Sequence, residues 1–168
     1  MNIEDGKIVT TSADPIFACM DQWYAHMRGD LDGGLDTLLH PDVVFFSPVV
    51  FTPQEGRDIT KVYLNAAGGT LGGDDKVETA SFKGAATSGS GEFGYIKRIL
   101  QGHHAMLEFE TTVEGKYVNG VDIITCDDDG LITEFKVMMR PLQAVNAVHA
   151  QMGAMLERMA AARDGAKS

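Results

Sequence analysis

The sequence has only two cysteines and no cluster of metal-ligating residues. Cys19 and Cys126 stand far apart in the chain, and neither belongs to a CxxC pair. A disulfide framework needs several patterned cysteines, and a zinc site needs at least three converging ligands. The sequence therefore predicts two reduced thiols in a cytoplasmic protein, and no metal site.

Long apolar runs and basic side chains are also scarce. No apolar stretch approaches the ~20 residues of a membrane-spanning helix, and the polar start MNIEDGKIVT is unlike a signal peptide. Lys and Arg total 14 against 24 Asp and Glu, a formal net charge of −10. Nucleic acids and anionic membranes attract proteins through Lys and Arg. We therefore expect neither as a partner.

Motifs for phosphate-bearing cofactors are missing as well. The segments GTLGG and SGSG are rich in glycine, but they lack the strand-to-helix context of a phosphate-binding loop. The acidic run DDD at 127–129 comes just before Gly130, which is typical of a solvated hairpin turn. We expect no cofactor.

The strongest positive pattern lies at 104–140. Three runs rich in β-branched and aromatic residues read HAMLEFETTV, YVNGVDIITC and GLITEFKVMMR. Short polar turns separate them, and Gly115 and Gly130 supply the positive φ that such turns require. This pattern predicts an antiparallel meander.

Helical patterns flank the meander. Asp14 and Pro15 predict a helix start, followed by apolar residues at helical spacing up to Gly29. A weaker helix is predicted after Asp30, and a third opens at Gly56 and closes at 68–69. The first stripe consists of Ile16, Met20, Trp23 and Met27. The stripe after Pro141 consists of Leu142, Val145, Val148, Met152, Met155 and Met159.

The remaining segments have weaker patterns. Residues 1–12 read as a loose arm, 43–47 as a buried strand, and 93–100 as another strand. The stretch 77–82 is a weak strand candidate. The Gly- and Ser-rich stretch 84–91 is expected to be a mobile flap at the mouth of a pocket.

These elements predict a single domain over 1–168, with a core at 14–142 and an amphipathic helix at 143–162. Helices that precede a strongly curved antiparallel sheet give an α+β architecture. Such a sheet can curl around a cavity that the early helices close.

Asp122 lies in the middle run of the meander. Strand alternation places it on the same face as Val118, Ile124 and Cys126. A carboxyl on an apolar face is expected to have a raised pKa and to donate a hydrogen bond to a ligand. The alternatives are an ion pair with Lys136 or Arg140, although alternation sets both cations on the other face, and hydrogen bonds from backbone N–H groups.

The order of these segments resembles the SnoaL-like branch of the nuclear transport factor 2-like superfamily. The resemblance spans 14–142 and is carried by GDLDGGLDTLLHPDVVFFSP, EGRDITKVYL and NGVDIITCDDDGLITEFKVMMRPL. It implies a cone-shaped α+β barrel with an apolar pocket, commonly a homodimer. It implies little about activity, because this fold hosts isomerases, cyclases, epoxide hydrolases and binding proteins.

The resemblance also assigns site positions. Asp122 matches the strand acid of ketosteroid isomerases, which an apolar site keeps protonated. Their base matches Ser47, and their first-helix tyrosine falls near Gln22. The aspartate that cyclases and epoxide hydrolases carry on the last strand matches Val137. Further pocket-wall candidates, each of which could equally be plain core, are Trp23, Phe45, Tyr63, Phe135 and Met139.

His103 and His104 adjoin the start of a strand, so alternation points one inward and one outward. His104 is the candidate for contact with a ligand near Asp122. The alternative is that both histidines cap the sheet end and bind water.

Three functions remain open. The first is a protein that binds a small hydrophobic ligand without turnover, which the missing carboxylates at Ser47 and Val137 favour. The second is an isomerase, cyclase or hydrolase that acts on a hydrophobic carbonyl compound, with Asp122 as acid or base. The third is a dimerisation or interaction module.

Overall fold

The computed structural model describes residues 2–4, 7–9, 14–71 and 93–166. The predicted strand at 77–82 and the predicted flap at 84–91 lie outside the described residues. The helices are α1 (Pro15–Arg28), α2 (Leu35–Leu38), α3 (Arg57–Leu71) and α4 (Leu142–Gly165). The strands are β1 (Asn2–Glu4), β2 (Lys7–Val9), β3 (Leu39–Phe46), β4 (Gln54–Glu55), β5 (Gly94–Gln101), β6 (His104–Val113), β7 (Lys116–Cys126) and β8 (Ile132–Arg140).

Six of these strands form a curved, open sheet in the order β4-β3-β8-β7-β6-β5. Strands β6 to β8 are the predicted antiparallel meander, and β5, the separately predicted strand, pairs antiparallel with β6. The sheet is not antiparallel throughout, because β3 pairs with β8 in parallel. Helix α3 separates β3 from the meander, so β3 and β8 are far apart in the sequence. No local sequence pattern therefore predicts that they pair. The α+β class is confirmed.

The predicted loose arm contains a separate two-stranded sheet. Strands β1 and β2 pair antiparallel, with Ile3 opposite Ile8 in register. Neither strand joins the six-stranded sheet in the described part of the chain.

Helix α1 begins and ends where the sequence predicts. Pro15 takes the first position, and Gly29 closes the helix with a φ of 78°. The carboxylate of Asp14 does not cap the helix. It accepts the Gly102 N–H at 2.9 Å instead, and so ties the start of α1 to the β5–β6 turn.

The second and fourth helices differ from their sequence patterns. Helix α2 is a single turn, because Gly33 and Gly34 both adopt positive φ and the strand β3 already begins at Leu39. Helix α4 buries Val148 and Met152 as predicted, but Leu142 is 74% exposed. Its other buried positions are Ala144 and Ala147, whose small side chains allow α4 to pack closely.

One face of the sheet packs against the helices and holds the core. Leu107, Phe109, Ile124 and Phe135 are buried on this face. Cys19 on α1 meets Cys126 at the end of β7, and both thiols are free. None of the helices in the described ranges is long and apolar enough to cross a membrane.

Candidate functional site

A cavity of about 270 Å³ lies between the inner face of the sheet and helices α1 and α3. Helix α1 contributes Trp23, His26 and Met27, and α3 contributes Leu64, Asn65, Ala67 and Gly68. From the sheet side come Phe93, Tyr95, Phe109, Asp122, Phe135 and Val137. Asn65 and Gly68 are exposed, whereas the sheet residues are mostly buried, so the cavity opens beside α3. Such an apolar cavity with few polar groups is typical of small-molecule sites.

Asp122 lies on the floor of the cavity, in the middle of β7. The strand register places Leu107 of β6 and Val137 of β8 directly opposite it. The residue is only 6% exposed, because apolar side chains flank it on both neighbouring strands. The strand alternation read from the sequence therefore gives the correct face for this carboxyl.

A chain of hydrogen bonds fixes the Asp122 carboxyl. The Tyr95 hydroxyl donates to Asp122 Oδ2 at 2.6 Å, and Trp23 Nε1 donates to the Tyr95 oxygen at 3.0 Å. The second carboxyl oxygen, Oδ1, makes no hydrogen bond to the described residues. Oδ1 is therefore the atom that can meet a ligand.

Burial controls the ionisation of both partners. It raises the pKa of Asp122 from 3.8 to about 7, although the hydrogen bond from Tyr95 acts in the opposite direction. Burial also raises the pKa of Tyr95 well above its usual range. Near neutral pH, the Asp122 carboxyl thus exists in both its protonated and its ionised form, while Tyr95 keeps its proton.

The two cations weighed as partners of Asp122 lie elsewhere. Lys136 pairs with Glu134 at 3.3 Å, and its ammonium group lies 4.6 Å from the centre of the Phe46 ring. Arg140 donates to the Asn119 side chain at 2.8 Å. Both cations lie on the outer face of the sheet, so neither lowers the pKa of Asp122 against the effect of burial.

His26 is a further titratable residue of the cavity that sequence reasoning missed. Its ring centroid lies 5.5 Å from that of Trp23, one helical turn earlier on α1. Burial lowers the pKa of the imidazole below 6.5, which favours its neutral form at pH 7. The signal in the sequence was its position three residues after Trp23, beside the predicted apolar stripe.

Tyr95 was also missed. Its strand pairs with β6 through a register shift between Tyr95 and Lys97, which interrupts simple alternation. Its partner Asp122 is 27 residues away in the chain, so no local spacing indicates the bond. Phe93, which packs edge-on against Tyr95, extends the same wall.

The structure brings part of the predicted site together. Trp23, Phe135 and Val137 line the cavity with Asp122. The ring centroids of Phe45 and Tyr63 lie 5.4 Å apart. Both rings belong to the core behind the residues that line the cavity. Met139 is partly buried beside the core, but it does not line the cavity. These three candidates are corrected to packing positions.

Ser47 and His104 also lie outside the cavity. The Ser47 hydroxyl accepts the N–H groups of Val49 and Val50, which shapes the turn after β3. His104 is exposed and lies 3.2 Å from the Thr125 hydroxyl on the neighbouring strand. Strand alternation turns Ala105 inward in its place.

His103 does not face the cavity either, because it pairs with Asp128 in the β7–β8 turn at 2.7 Å. Both histidines therefore sit at the sheet end, as in the alternative considered from the sequence. Within the described ranges, no three His, Cys, Asp or Glu residues converge to hold a metal ion.

Comparison with solved structures finds proteins of the same architecture. A steroid delta-isomerase from Pseudomonas aeruginosa is 31% identical, with a TM-score of 0.71 over 88% of this chain and 95% of that one. A protein with a cystatin-like fold from Silicibacter pomeroyi is 28% identical, with a TM-score of 0.64 over 81% and 83%. An NTF2-like protein from Mesorhizobium loti is 16% identical, with a TM-score of 0.55 over 80% and 98%, and shows the fold alone.

No protein-family model matches the sequence, and no curated protein matches it.

Proposed function

Since this chain belongs to the nuclear transport factor 2-like superfamily, with a steroid delta-isomerase among its relatives, we propose that it binds a small apolar molecule through one polar oxygen. The fold of this superfamily is associated with small-molecule binding and isomerase-type activity. Membership of the SnoaL-like branch stays a prediction.

The observation that carries this proposal is the Asp122 carboxyl on the cavity floor. Tyr95 occupies Oδ2, whereas Oδ1 has no partner among the described residues. A hydrogen bond between Oδ1 and a ligand carbonyl or phenol would contribute about 0.5–1.5 kcal/mol to binding.

The protonation of Asp122 defines the ligand chemistry. Below a pH of about 7 the carboxyl is mainly protonated, so Oδ1 can donate to a carbonyl or hydroxyl oxygen. Trp23, Phe109 and Phe135 supply aromatic and apolar contacts around that oxygen. The expected ligand is therefore flat, apolar and small, with one ketone or phenol oxygen at its buried end.

Binding of 2-naphthol to Asp122 variants tests this function. Asp122→Leu is expected to weaken binding by about 1–3 kcal/mol, roughly 5- to 150-fold, because no hydrogen bond to the phenol oxygen remains. Asp122→Asn keeps a donor and is expected to bind almost as tightly as the unaltered chain. Titration calorimetry at pH 6 measures both values.

The matched control is Asp32→Leu, which removes an exposed carboxyl outside the cavity. This variant is expected to bind 2-naphthol like the unaltered chain. Equal affinities for Asp122→Leu and Asp32→Leu would show that Asp122 does not hold the ligand.

A second candidate function is an isomerase that moves a double bond next to a carbonyl. The cavity contains both a neutral imidazole and a carboxylic acid, and the Pseudomonas aeruginosa relative is named a steroid delta-isomerase. The test is conversion of a β,γ-unsaturated ketone into its conjugated isomer, followed by ultraviolet absorbance. A chain that binds 2-naphthol but converts no ketone acts as a binding protein.

Chemistry that needs a carboxylate on the last strand is less well supported. Val137 occupies that position, and it is directly opposite Asp122 in the strand register. Cyclase and hydrolase activities are therefore less well supported for this chain than isomerisation.

We also propose a homodimer through the outer face of the sheet. Ile99, Met106 and Met138 are 58%, 44% and 53% exposed there. The register places Met106 between Ile99 and Ile123, and Met138 beside Val121. A contiguous apolar face of this kind favours burial against a second copy.

Light scattering at micromolar concentration tests this assembly. The unaltered chain is expected to have twice the monomer mass, whereas the double variant Met106→Lys, Met138→Lys is expected to be a monomer. Charged groups that must be buried without partners oppose association. Phe51→Lys is the control, because Phe51 is fully exposed in the segment between β3 and β4. A monomeric unaltered chain would refute the proposal.

A further inference from the structure

His26 has the environment of a group that exchanges protons rather than one that supports the fold. It lines the cavity, and neither ring nitrogen makes a hydrogen bond to the described part of the chain. Its ring packs against Trp23 at an interplanar angle of 34°. The imidazole is therefore held in place by ring packing, while its lone pair stays available.

Trp23 stands between His26 and Asp122. The indole packs against the His26 ring at 5.5 Å, and its Nε1 reaches Tyr95, whose hydroxyl is 2.6 Å from Asp122. His26 and Asp122 form no ion pair with each other. The two groups thus line one cavity from separate elements, His26 from α1 and Asp122 from β7.

We propose that His26 is the general base of this cavity, and that it takes a proton from the carbon beside a ligand carbonyl held by Asp122. This inference rests on the proposed function, because both need the carbonyl oxygen to lie at Asp122. The substrate class is a small apolar ketone with an acidic C–H group next to the carbonyl.

The proton transfer balances without a cofactor. The imidazole lone pair takes the proton, and the electron pair of the broken C–H bond forms a C=C bond. The π pair of the carbonyl moves to oxygen, which takes up the proton of the Asp122 carboxyl. Return of the proton from imidazolium to carbon, and from oxygen to Asp122, regenerates both residues. Return to a different carbon of a conjugated system shifts the double bond.

No other described lining residue offers an equivalent base. The Asn65 amide is not basic, and the Tyr95 hydroxyl already donates to Asp122 and accepts from Trp23. The Ser47 hydroxyl lies outside the cavity and accepts two backbone N–H groups. Among the described lining residues, the titratable ones are His26, Tyr95 and Asp122.

The order of the pKa values supports these roles. Burial lowers the pKa of His26 from 6.5, and burial raises the pKa of Asp122 to about 7. Both shifts favour the neutral imidazole and the protonated carboxyl, which are the forms that a general base and a general acid require.

Exchange of α-hydrogens for deuterium in 2-tetralone tests the proposal. This bicyclic ketone is incubated with the chain in D2O, and NMR follows the loss of its α-proton signals against a buffer blank. The unaltered chain is expected to accelerate exchange, with a maximum just below pH 7. His26→Gln is expected to slow the enzymatic exchange by roughly 100-fold or more, the usual range for a general base. Its affinity for 2-naphthol is expected to change less than threefold.

Two further variants separate a base from a packing residue. In His26→Ala, added free imidazole is expected to restore part of the exchange, which a packing role would not produce. His149→Gln replaces an exposed histidine on α4. This variant is expected to accelerate α-hydrogen exchange in 2-tetralone as much as the unaltered chain does. Circular dichroism verifies that each variant folds. If His26→Gln does not fold, His26→Asn replaces it in the exchange measurement.

The outcomes distinguish this inference from the proposed function. A chain that binds 2-tetralone but does not accelerate exchange overturns the assignment of His26, while the binding function stands. Full exchange in His26→Gln, with a rate that rises above pH 7, also overturns it and makes ionised Asp122 the base. A chain that binds neither 2-tetralone nor 2-naphthol refutes the proposed function itself.

Discussion

The stability advantage of Asp122→Asn over the unaltered chain is expected to grow by about 4 kcal/mol between pH 4 and pH 8. Burial raises the pKa of Asp122 from 3.8 to about 7, and each pH unit over that interval corresponds to about 1.4 kcal/mol. The folded chain binds the proton more tightly than the unfolded chain, so its stability falls as pH rises through this interval. Asparagine has no proton to lose.

The direction follows from which state holds the proton. Below pH 3.8 both states are protonated, so the contribution of Asp122 to stability is fully present. Above a pH of about 7 both states are ionised, and the folded chain holds a desolvated carboxylate. The side-chain amide that Asp122→Asn introduces can still accept the hydrogen bond from Tyr95 and stays neutral throughout.

Urea denaturation at several pH values measures this difference. Other carboxyl groups affect both chains alike, so subtracting the two free energies of unfolding isolates Asp122. Asp32→Asn is the control, since it makes the same chemical change at an exposed carboxyl. A flat difference for Asp122→Asn would mean that water reaches the carboxyl and that its pKa is ordinary.

The sequence was most informative where local patterns repeat. Alternation along β7, bounded by the glycine turns, placed Asp122 on the inner face and its neighbouring cations on the outer face. The same reasoning could not identify the parallel pairing of β3 with β8, because strand partners distant in sequence leave no local signal. Helix α2 is shorter than its leucine pattern predicts, because the two glycines before it adopt positive φ, which a helix does not allow.

The cavity was predicted only in part for a similar reason. Periodicity tells which face of an element is buried, but not how deep a residue lies behind that face. Phe45 and Tyr63 share the buried side with Phe135, yet they form the layer behind it. The positions of Tyr95 and His26 in the cavity could not be predicted from local patterns, because only the fold places β5 and α1 next to Asp122.

Phe135→Ala is expected to destabilise the chain by about 3–5 kcal/mol, because truncation of a buried phenylalanine leaves a void that the core fills only partly. Phe135 is 1% exposed, and its ring lies 5.0 Å from Trp23 and 6.1 Å from Phe45. Phe51→Ala makes the same chemical change at a fully exposed position and is expected to alter stability by less than about 0.5 kcal/mol. Urea denaturation compares the two.

The same substitution changes the shape of the cavity in a way that tests the layering. Removal of the Phe135 ring is expected to enlarge the cavity toward Phe45, so a longer apolar phenol should gain affinity relative to 2-naphthol. Phe45→Ala is expected to cost similar stability, but to leave the preference for 2-naphthol nearly unchanged, because Phe45 lies behind the wall. If both variants shifted ligand preference equally, Phe45 would belong to the cavity wall and not to the layer behind it.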